Sequence, residues 1–250
     1  MTPFTDLACS RFLTIPTNLD SSSLVEFIER QEFENKTKII FDNYDSKFVE
    51  QNVLSSNQNL IVKPYNSNFF IFDRGHAQDF LNNELLADFN ITEINFEDKE
   101  NIGIVKNLLK SSFAVKISKD ENGKTIFEER REKAEEILAN FDLSFTRDGL
   151  KTFLVKSKLG EIVGCYSLIK VGEEVQLSGV AGRTTLPNSY QGKKLIILCQ
   201  AMVSSFLNTK DFDNSTFLTL SNSKEPVAKM YADLGIPKNI TRKGLLVQPN

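Results

Sequence analysis

One histidine, His76, and three cysteines, Cys9, Cys165 and Cys199, are all that 250 residues supply of two side chains that commonly bind zinc or drive nucleophilic catalysis. A single imidazole excludes a histidine-built zinc site and a Ser-His-Asp triad in the second half of the chain. Three cysteines, odd in number and widely spaced, make neither a disulfide framework nor a metal cluster, so no metal site is expected and a reducing cytoplasm is. Long apolar runs are also missing. The longest unbroken aliphatic run is about five residues, against the roughly 20 that a membrane-spanning helix needs. The opening Met1-Thr2-Pro3-Phe4-Thr5-Asp6 has no basic start and no apolar core, so a signal peptide is not expected.

Strong charge of one sign is lacking as well. The net charge is −3. Residues 1–90 hold 7 Lys/Arg against 13 Asp/Glu, and the remainder 23 against 20. Neither part is basic enough to expect nucleic acid as a partner. With 40% hydrophobic and 25% charged residues, the composition is that of a folded globular chain. The length suits one large domain or two small ones.

Residues 1–90 read as a small α/β unit. Asp20 or Ser21 can cap a helix reaching Arg30. Residues 38–41, 59–63 and 69–72 read as strands, with residues 64–68 as a turn between the last two. A helix from about His76 carries Ala77, Phe80, Leu81, Leu85 and Phe89 on one face, with His76 as a surface or capping residue. The pattern restarts near residue 90. Residues 91–96 are strand-like, and Ile102, Val105, Leu108 and Leu109 fall at helical spacing. After a polar turn at residues 120–124 comes a helix bearing Ala134, Ile137, Leu138 and Phe141, with the charged run 128–133 as its solvated surface laced with i,i+4 pairs. Strands at 151–155 and 161–169 flank a hairpin turn at Lys158-Leu159-Gly160, and a second hairpin at Gly172 leads into residues 174–180. Ala181-Gly182-Arg183 interrupts the alternation and reads as a bulge. Residues 216–220 form another strand, Ser223 caps a helix that Gly235 stops, and residues 244–248 close the chain as a strand.

The most informative stretch is Leu186-Pro187-Asn188-Ser189-Tyr190-Gln191-Gly192-Lys193-Lys194-Leu195. A strand ends at a proline, a short Gly- and Lys-bearing loop follows, and an apolar helix begins. The free amides at such a helix start, the helix dipole and two lysines suit an anion, here the diphosphate of a nucleotide-like cofactor. Leu195, Leu198, Cys199, Met202 and Phe206 share one face of that helix, and Ile196, Ile197 and Val203 nearly close the circle. A helix this apolar is buried, which makes Cys199 a core residue and not a nucleophile; mid-strand Cys165 reads the same way.

From residue 91 the order is strand, helix, helix, three strands, helix, strand, helix, strand. With these sequences on it, that order resembles the GNAT superfamily of acyl-CoA-dependent N-acyltransferases. Gly160-Glu161-Ile162-Val163-Gly164 is similar to the family's second-to-third-strand hairpin. The proline-to-lysine stretch above is similar to its fourth strand and diphosphate loop. Val227-Ala228-Lys229-Met230-Tyr231-Ala232-Asp233-Leu234-Gly235-Ile236 is similar to its last helix.

The resemblance implies an α/β (α+β) fold: a GNAT-like mixed central sheet flanked by helices over residues 91–250, preceded by a small α/β N-terminal domain at 1–90, open to being a degenerate copy of the same fold. It implies acyl transfer from acetyl-CoA, or another acyl-CoA, to a primary amine of a small molecule or peptide by direct attack in a ternary complex. The fourth and fifth strands would part, and Arg183, Thr184, Thr185 and Leu186 would lend backbone groups to the pantetheine arm. Gln191, Gly192, Lys193, Lys194, Leu195 and Ile196 would hold the diphosphate. Tyr231 would be the acid for the leaving thiolate, with simple packing as its alternative role. A backbone N–H near Thr184 or Thr185 would face the oxyanion. Glu174, beside Glu173 at a strand start, is the candidate base, with an exposed hairpin charge or a water chain as alternatives. Where the family often has Asn seven residues before its tyrosine, this chain has Lys224, and Asn222 lies two residues earlier. Lys194 and Ile196 occupy positions at which the family has small residues. That altered loop supports a competing expectation: a catalytically inactive module that binds CoA or a partner as sensor or scaffold. An aminoacyl transferase on a doubled GNAT fold would want a basic channel, which the acidic first part argues against. No membrane partner is expected, and a homodimer is admitted.

Overall fold

The computed structural model describes residues 4–6, 9–14, 22, 26, 37–41, 52, 60–95, 97–119, 121, 124–144, 150–171, 173–182, 193–222, 231–233, 235 and 240–249. The chain forms two compact units, Met1–Ile71 with Leu220–Asn250, and Phe72–Thr219.

In the first unit, β1 (Phe4–Asp6), β2 (Cys9–Thr14), β3 (Thr37–Phe41), β4 (Leu60–Asp73) and β12 (Ile240–Pro249) lie in the order β1-β2-β3-β12-β4. The closing strand is inserted antiparallel between β3 and β4. This pairing overturns the turn expected at residues 64–68. Lys63 to Asn68 sit in unbroken register against Leu246 to Thr241, and β4 runs straight through Pro64. A partner strand outweighs the local turn preference of a Pro-Tyr-Asn-Ser-Asn run. The expected helix at 21–30 lies largely outside the described residues.

In the second unit the strand order is β11-β10-β9-β8-β5, from β5 (Phe89–Glu93), β8 (Leu150–Ser157), β9 (Ile162–Val171), β10 (Glu174–Gly182) and β11 (Phe217–Asn222). The β5, β8, β9 and β10 neighbours are antiparallel, and β10 with β11 is parallel, so the sheet is mixed, as expected. The β8–β9 hairpin turns where Gly160 adopts φ +81°, a conformation that glycine reaches without strain. Every residue from 163 to 169 is buried, and a strand buried at both parities is covered on both faces.

One cover is α5 (Lys194–Asn208), which packs on β9. The buried Tyr166 hydroxyl donates to the Ala201 carbonyl oxygen at 2.8 Å and lies 2.7 Å from Ser205 Oγ. On its far side α5 is covered by α1 (Arg74–Phe80) and α2 (Asn83–Leu86), which explains why residues 197 to 203 are all buried. The Gln200 amide fills the break between these short helices: its Nε2 donates to the Phe80 carbonyl oxygen at 2.8 Å and its Oε1 accepts from the Asn82 amide at 2.6 Å. The expected single helix from His76 to Phe89 is therefore two helices. Asp73 caps the first through the His76 amide, Asn82 caps the second through the Leu85 amide, and Phe89 already belongs to β5. The exposed His76 ring sits 2.8 Å from the Asp73 carboxylate, a surface residue as expected.

The other cover includes α3 (Lys99–Phe113), which packs on β9, β10 and α4 (Arg131–Ser144). Between α3 and α4, where the sequence predicts a turn before a helix, lies a separate hairpin, β6 (Val115–Lys119) and β7 (Thr125–Glu129). The charged run 128–133 accordingly straddles a strand end and a helix start. Two i,i+2 pairs stand in it, Arg130 to Glu128 and Arg131 to Glu129, each at 3.3 Å; the side chain of Lys133, which an i,i+4 pair with Glu129 would need, lies outside the described residues.

Candidate functional site

The parallel partnership of β10 and β11 is short. It pairs Glu174 with Phe217, Val175 with Leu218 and Gln176 with Thr219, and its register goes no further among the described residues. β10 itself continues to Gly182, paired to β9 throughout. Two residues after Gln176 the β9 register slips: Leu177 faces Leu168, but Gly179 faces Ser167, which leaves Ser178 as the extra residue. A bulge thus lies at Ser178; Ala181 and Gly182, where one was expected, pair regularly with Cys165 and Gly164, and Arg183 lies outside the described residues. A bulge bends its strand and sharpens the local twist, so it belongs next to the place where a parallel ladder is abandoned. The edge of β10 beyond Gln176 keeps backbone donors and acceptors that β11 does not engage.

The chain from Arg183 to Gly192 lies outside the described residues, and with it Arg183, Thr184, Thr185, Leu186, Gln191 and Gly192. It resumes at Lys193, the N-cap residue of α5. That cap differs in kind from the others described. Asp73, Asn82 and Asp98 each bond a helix amide through their side chains, whereas Lys193 makes no side-chain cap bond. Among the described residues, intrahelical bonding begins with the Ile197 amide on the Lys193 carbonyl oxygen at 3.0 Å, and the Leu195 and Ile196 amides lie in the first turn ahead of it. No acidic residue stands in the first turn. Lys193 is exposed, and Lys194, Leu195 and Ile196 are half-buried. A dipole end with two lysines, no acidic residue in its first turn and no side-chain bond from its N-cap residue fits an anion.

Glu174 opens β10 half-buried, and the buried Thr219 hydroxyl donates to its carboxylate. Thr219 carries no motif that could have singled it out; only the parallel register brings it to Glu174. Asn222 is the last residue of β11.

Tyr231 belongs to the first unit, where it is 1% exposed and packs edge-on against Phe70, with ring centroids 5.1 Å apart and planes at 69°. Gly235 follows at φ +74° with its amide on the Ala232 carbonyl oxygen at 2.9 Å, which ends the helical turn there as expected. Cys165 and Cys199 are both buried core residues, and burial pushes the Cys199 thiol up to about 12. Among the described residues no group of His, Cys, Asp or Glu could hold a metal ion, and no helix is long and apolar enough to cross a membrane.

A second concave feature was not foreseen. A cavity of about 380 Å³ lies between β5, β8 and the C-terminal end of α5. Within it the Lys151 ammonium bridges Glu93 at 2.5 Å and Asp211 at 2.9 Å.

No family model matches the sequence, and no curated protein does. Solved structures do match. A functionally unknown conserved protein from Staphylococcus epidermidis ATCC 12228 is 13% identical with a TM-score of 0.52, over 96% of this chain and 84% of that one. A GCN5-related N-acetyltransferase from Kribbella flavida is 12% identical with a TM-score of 0.50, over 93% and 77%. A conserved protein of unknown function from Bacteroides thetaiotaomicron is 13% identical with a TM-score of 0.51, over 95% and 79%. At these identities the likeness is one of fold.

Proposed function

For a chain with the GNAT fold, we propose an N-acyltransferase that moves an acyl group from acetyl-CoA, or another acyl-CoA, to a primary amine of a small molecule or peptide. The observation that carries this reading is the parallel β10–β11 ladder abandoned after Gln176 and Thr219, beside the Ser178 bulge, on the strand whose chain leads to the uncapped start of α5. An edge of free backbone groups suits the amide-bearing pantetheine arm, and an uncapped helix start suits the diphosphate.

Acetyl-CoA supplies an acyl thioester, whose carbonyl carbon an amine can attack directly. Lys193 and Lys194 offset phosphate charge, and the Leu195 and Ile196 amides donate to the diphosphate oxygens. Residues Arg183, Thr184, Thr185 and Leu186 are assigned to the pantetheine, Gln191 and Gly192 to the diphosphate, and Asn222 to the cofactor as well. A backbone N–H near Thr184 or Thr185 is assigned to the thioester oxygen, where charge develops. Glu174 is assigned the proton that the amine must lose, with Thr219 fixing its carboxylate. Tyr231 is assigned the proton for the leaving sulfur.

A second reading is a module that binds CoA without turnover. The near-complete burial of Tyr231, edge-on against Phe70, favours it, because a core position is what a packing role requires of that ring. Thermal shift against acetyl-CoA, longer acyl-CoAs and free CoA is the first test. A shift followed by acetylation of an amine panel supports the enzyme. A shift without acetylation supports the module, and no shift with any thioester or with CoA removes both.

A further inference from the structure

The cavity at the end of α5 is lined by two kinds of surface. Its floor is apolar, from Ile91 on β5 and the buried Phe153 on β8. Its rim is polar and charged, from Glu93, Lys151, Asp211 and Lys210, with Ser204, Asn208 and Thr209 from the last turn of α5 and its cap. The four charges balance, but they are not equivalently engaged. Lys151, only 18% exposed, is committed between Glu93 and Asp211. Lys170 donates to the Asp211 backbone oxygen at 2.9 Å. Lys210 is exposed; its carbonyl oxygen accepts from the Asp213 amide at 3.2 Å and its charge acts on Asp211, but its ammonium makes no hydrogen bond or ion pair with a described residue.

The carboxylates retain acceptor capacity. Each has about four lone-pair sites, and Glu93 is still 43% exposed in its side chain. The C-terminal end of α5 adds partial negative charge on the same side. One part of the rim therefore favours an ammonium, while Lys210 offers a cation to a carboxylate. Between them lies an apolar floor, in a volume within the roughly 300–1,000 Å³ range of small-molecule sites.

From this arrangement we infer that the cavity is a binding site for a small zwitterion with an apolar side chain, of the α-amino acid class: ammonium toward Glu93 and the end of α5, carboxylate toward Lys210, side chain on Ile91 and Phe153. It is separate from the edge at which acyl transfer is proposed. In the strand order β10-β9-β8-β5, β8 lies about 10 Å and β5 about 14 Å from β10 at ordinary strand spacing. Reacting atoms must come within about 3.5 Å, so a ligand here is an effector and not the acceptor.

The test is a titration of the full chain with L-phenylalanine, read at the Ile91 methyl resonances by NMR, a signal independent of any activity. The expected result is a saturable Ile91 shift in the millimolar range or tighter. Phenethylamine, which lacks the carboxylate, and 3-phenylpropionate, which lacks the ammonium, should each bind at least tenfold more weakly. Glu93→Gln should weaken L-phenylalanine about tenfold and leave the weak binding of 3-phenylpropionate as it was, and Lys210→Met should do the converse with phenethylamine. An unmoved Ile91 signal at 20 mM L-phenylalanine overturns the site. Equal affinity for either singly charged analogue overturns the zwitterion assignment.

Discussion

Glu174 and Thr219 sit diagonally across the short parallel ladder of β10 and β11, and the Thr219 hydroxyl donates to the Glu174 carboxylate. In that register Glu174 faces Phe217 and Thr219 faces Gln176, so the two side chains share a sheet face. A hydrogen bond to a charged acceptor is worth about 1.5–3 kcal/mol, and the buried Thr219 has little access to water in its place. Thr219→Val keeps shape and removes the donor. It should lower the unfolding midpoint measurably and cut turnover in any amine acetylation, whereas Thr219→Ser should keep most of both. Loss in Thr219→Ser with none in Thr219→Val, in circular dichroism melts and in steady-state rates, would point to methyl packing as the only role of this side chain.

The local elements of the second unit were legible because their signals are local. The Gly160 turn sits between alternating strands, and residues 195–206 are apolar nearly all round. Pairing over long separations was not legible. Nothing in residues 64–68 announces that β12, from the far end of the chain, will hold them in a strand. The Ser178 bulge is a relation between two strands, and the Gly-Arg signal nearby drew attention three residues too far along. Lys151, Glu93 and Asp211 are each ordinary in sequence and 58 or more residues apart, so only the register of β5 with β8 and the end of α5 bring them together. Tyr231 was singled out by the residues around it, but its burial against Phe70 depends on a contact with β4 that no spacing records.

The thiols give a prediction that does not depend on function. Cys165 and Cys199 are buried, and desolvation pushes the Cys199 thiol up to about 12, so the reactive thiolate is scarce at neutral pH. Iodoacetamide at pH 8 should leave both unmodified in the native protein and modify both in guanidinium, as read by peptide mass spectrometry. Rapid native alkylation of Cys199 would mean that α5 opens far more readily than its buried face implies.

The Lys151 bridge should show itself in the pH dependence of stability. Burial works against the Lys151 ammonium, but hydrogen bonds and attraction from Glu93 and Asp211 outweigh it and hold its pKa above 10.5. The hydrogen bond from Lys151, and then its charge, hold the Asp211 carboxyl below 3.8. A raised amine pKa contributes stability that is complete below the unfolded value and lost as the pH climbs through the folded one. A depressed carboxyl pKa contributes stability that is complete above the unfolded value and lost as the pH falls through the folded one. The difference in melting temperature between wild type and Lys151→Met should therefore be flat from about pH 5 to 9 and shrink below pH 4 and above pH 10. A difference that does not change across that span would show that Lys151 acts through its alkyl stem.

Charge at the start of α5 can be tested without knowing the acceptor. Lys193 is exposed and Lys194 half-buried, so changing both to Glu alters the local field at modest structural cost. Two reversed charges beside a helix start that carries no acidic residue should weaken CoA at least tenfold in calorimetry and flatten the salt dependence of its binding, with the melting temperature of the free protein little changed. Dephospho-CoA, which keeps the diphosphate but lacks the ribose phosphate, should suffer the same relative loss. If only CoA is weakened, the lysines face the ribose phosphate and the diphosphate assignment is wrong.

Tyr231 separates the two readings of function most sharply. Its ring is buried against Phe70, so Tyr231→Ala removes a packed aromatic at a cost of about 3–5 kcal/mol and says nothing about chemistry. Tyr231→Phe keeps the ring, its burial and the edge-on contact, and deletes only the hydroxyl. If that hydroxyl delivers the proton to the leaving sulfur, Tyr231→Phe should keep the wild-type affinity for acetyl-CoA and lose ten- to a thousandfold in kcat, and the loss should be smaller with an acyl donor whose thiolate is a better leaving group. Removing ground-state binding would instead raise KM at constant kcat. Unchanged kcat with both donors would leave Tyr231 a core aromatic, and the proton for the sulfur would have to come from elsewhere.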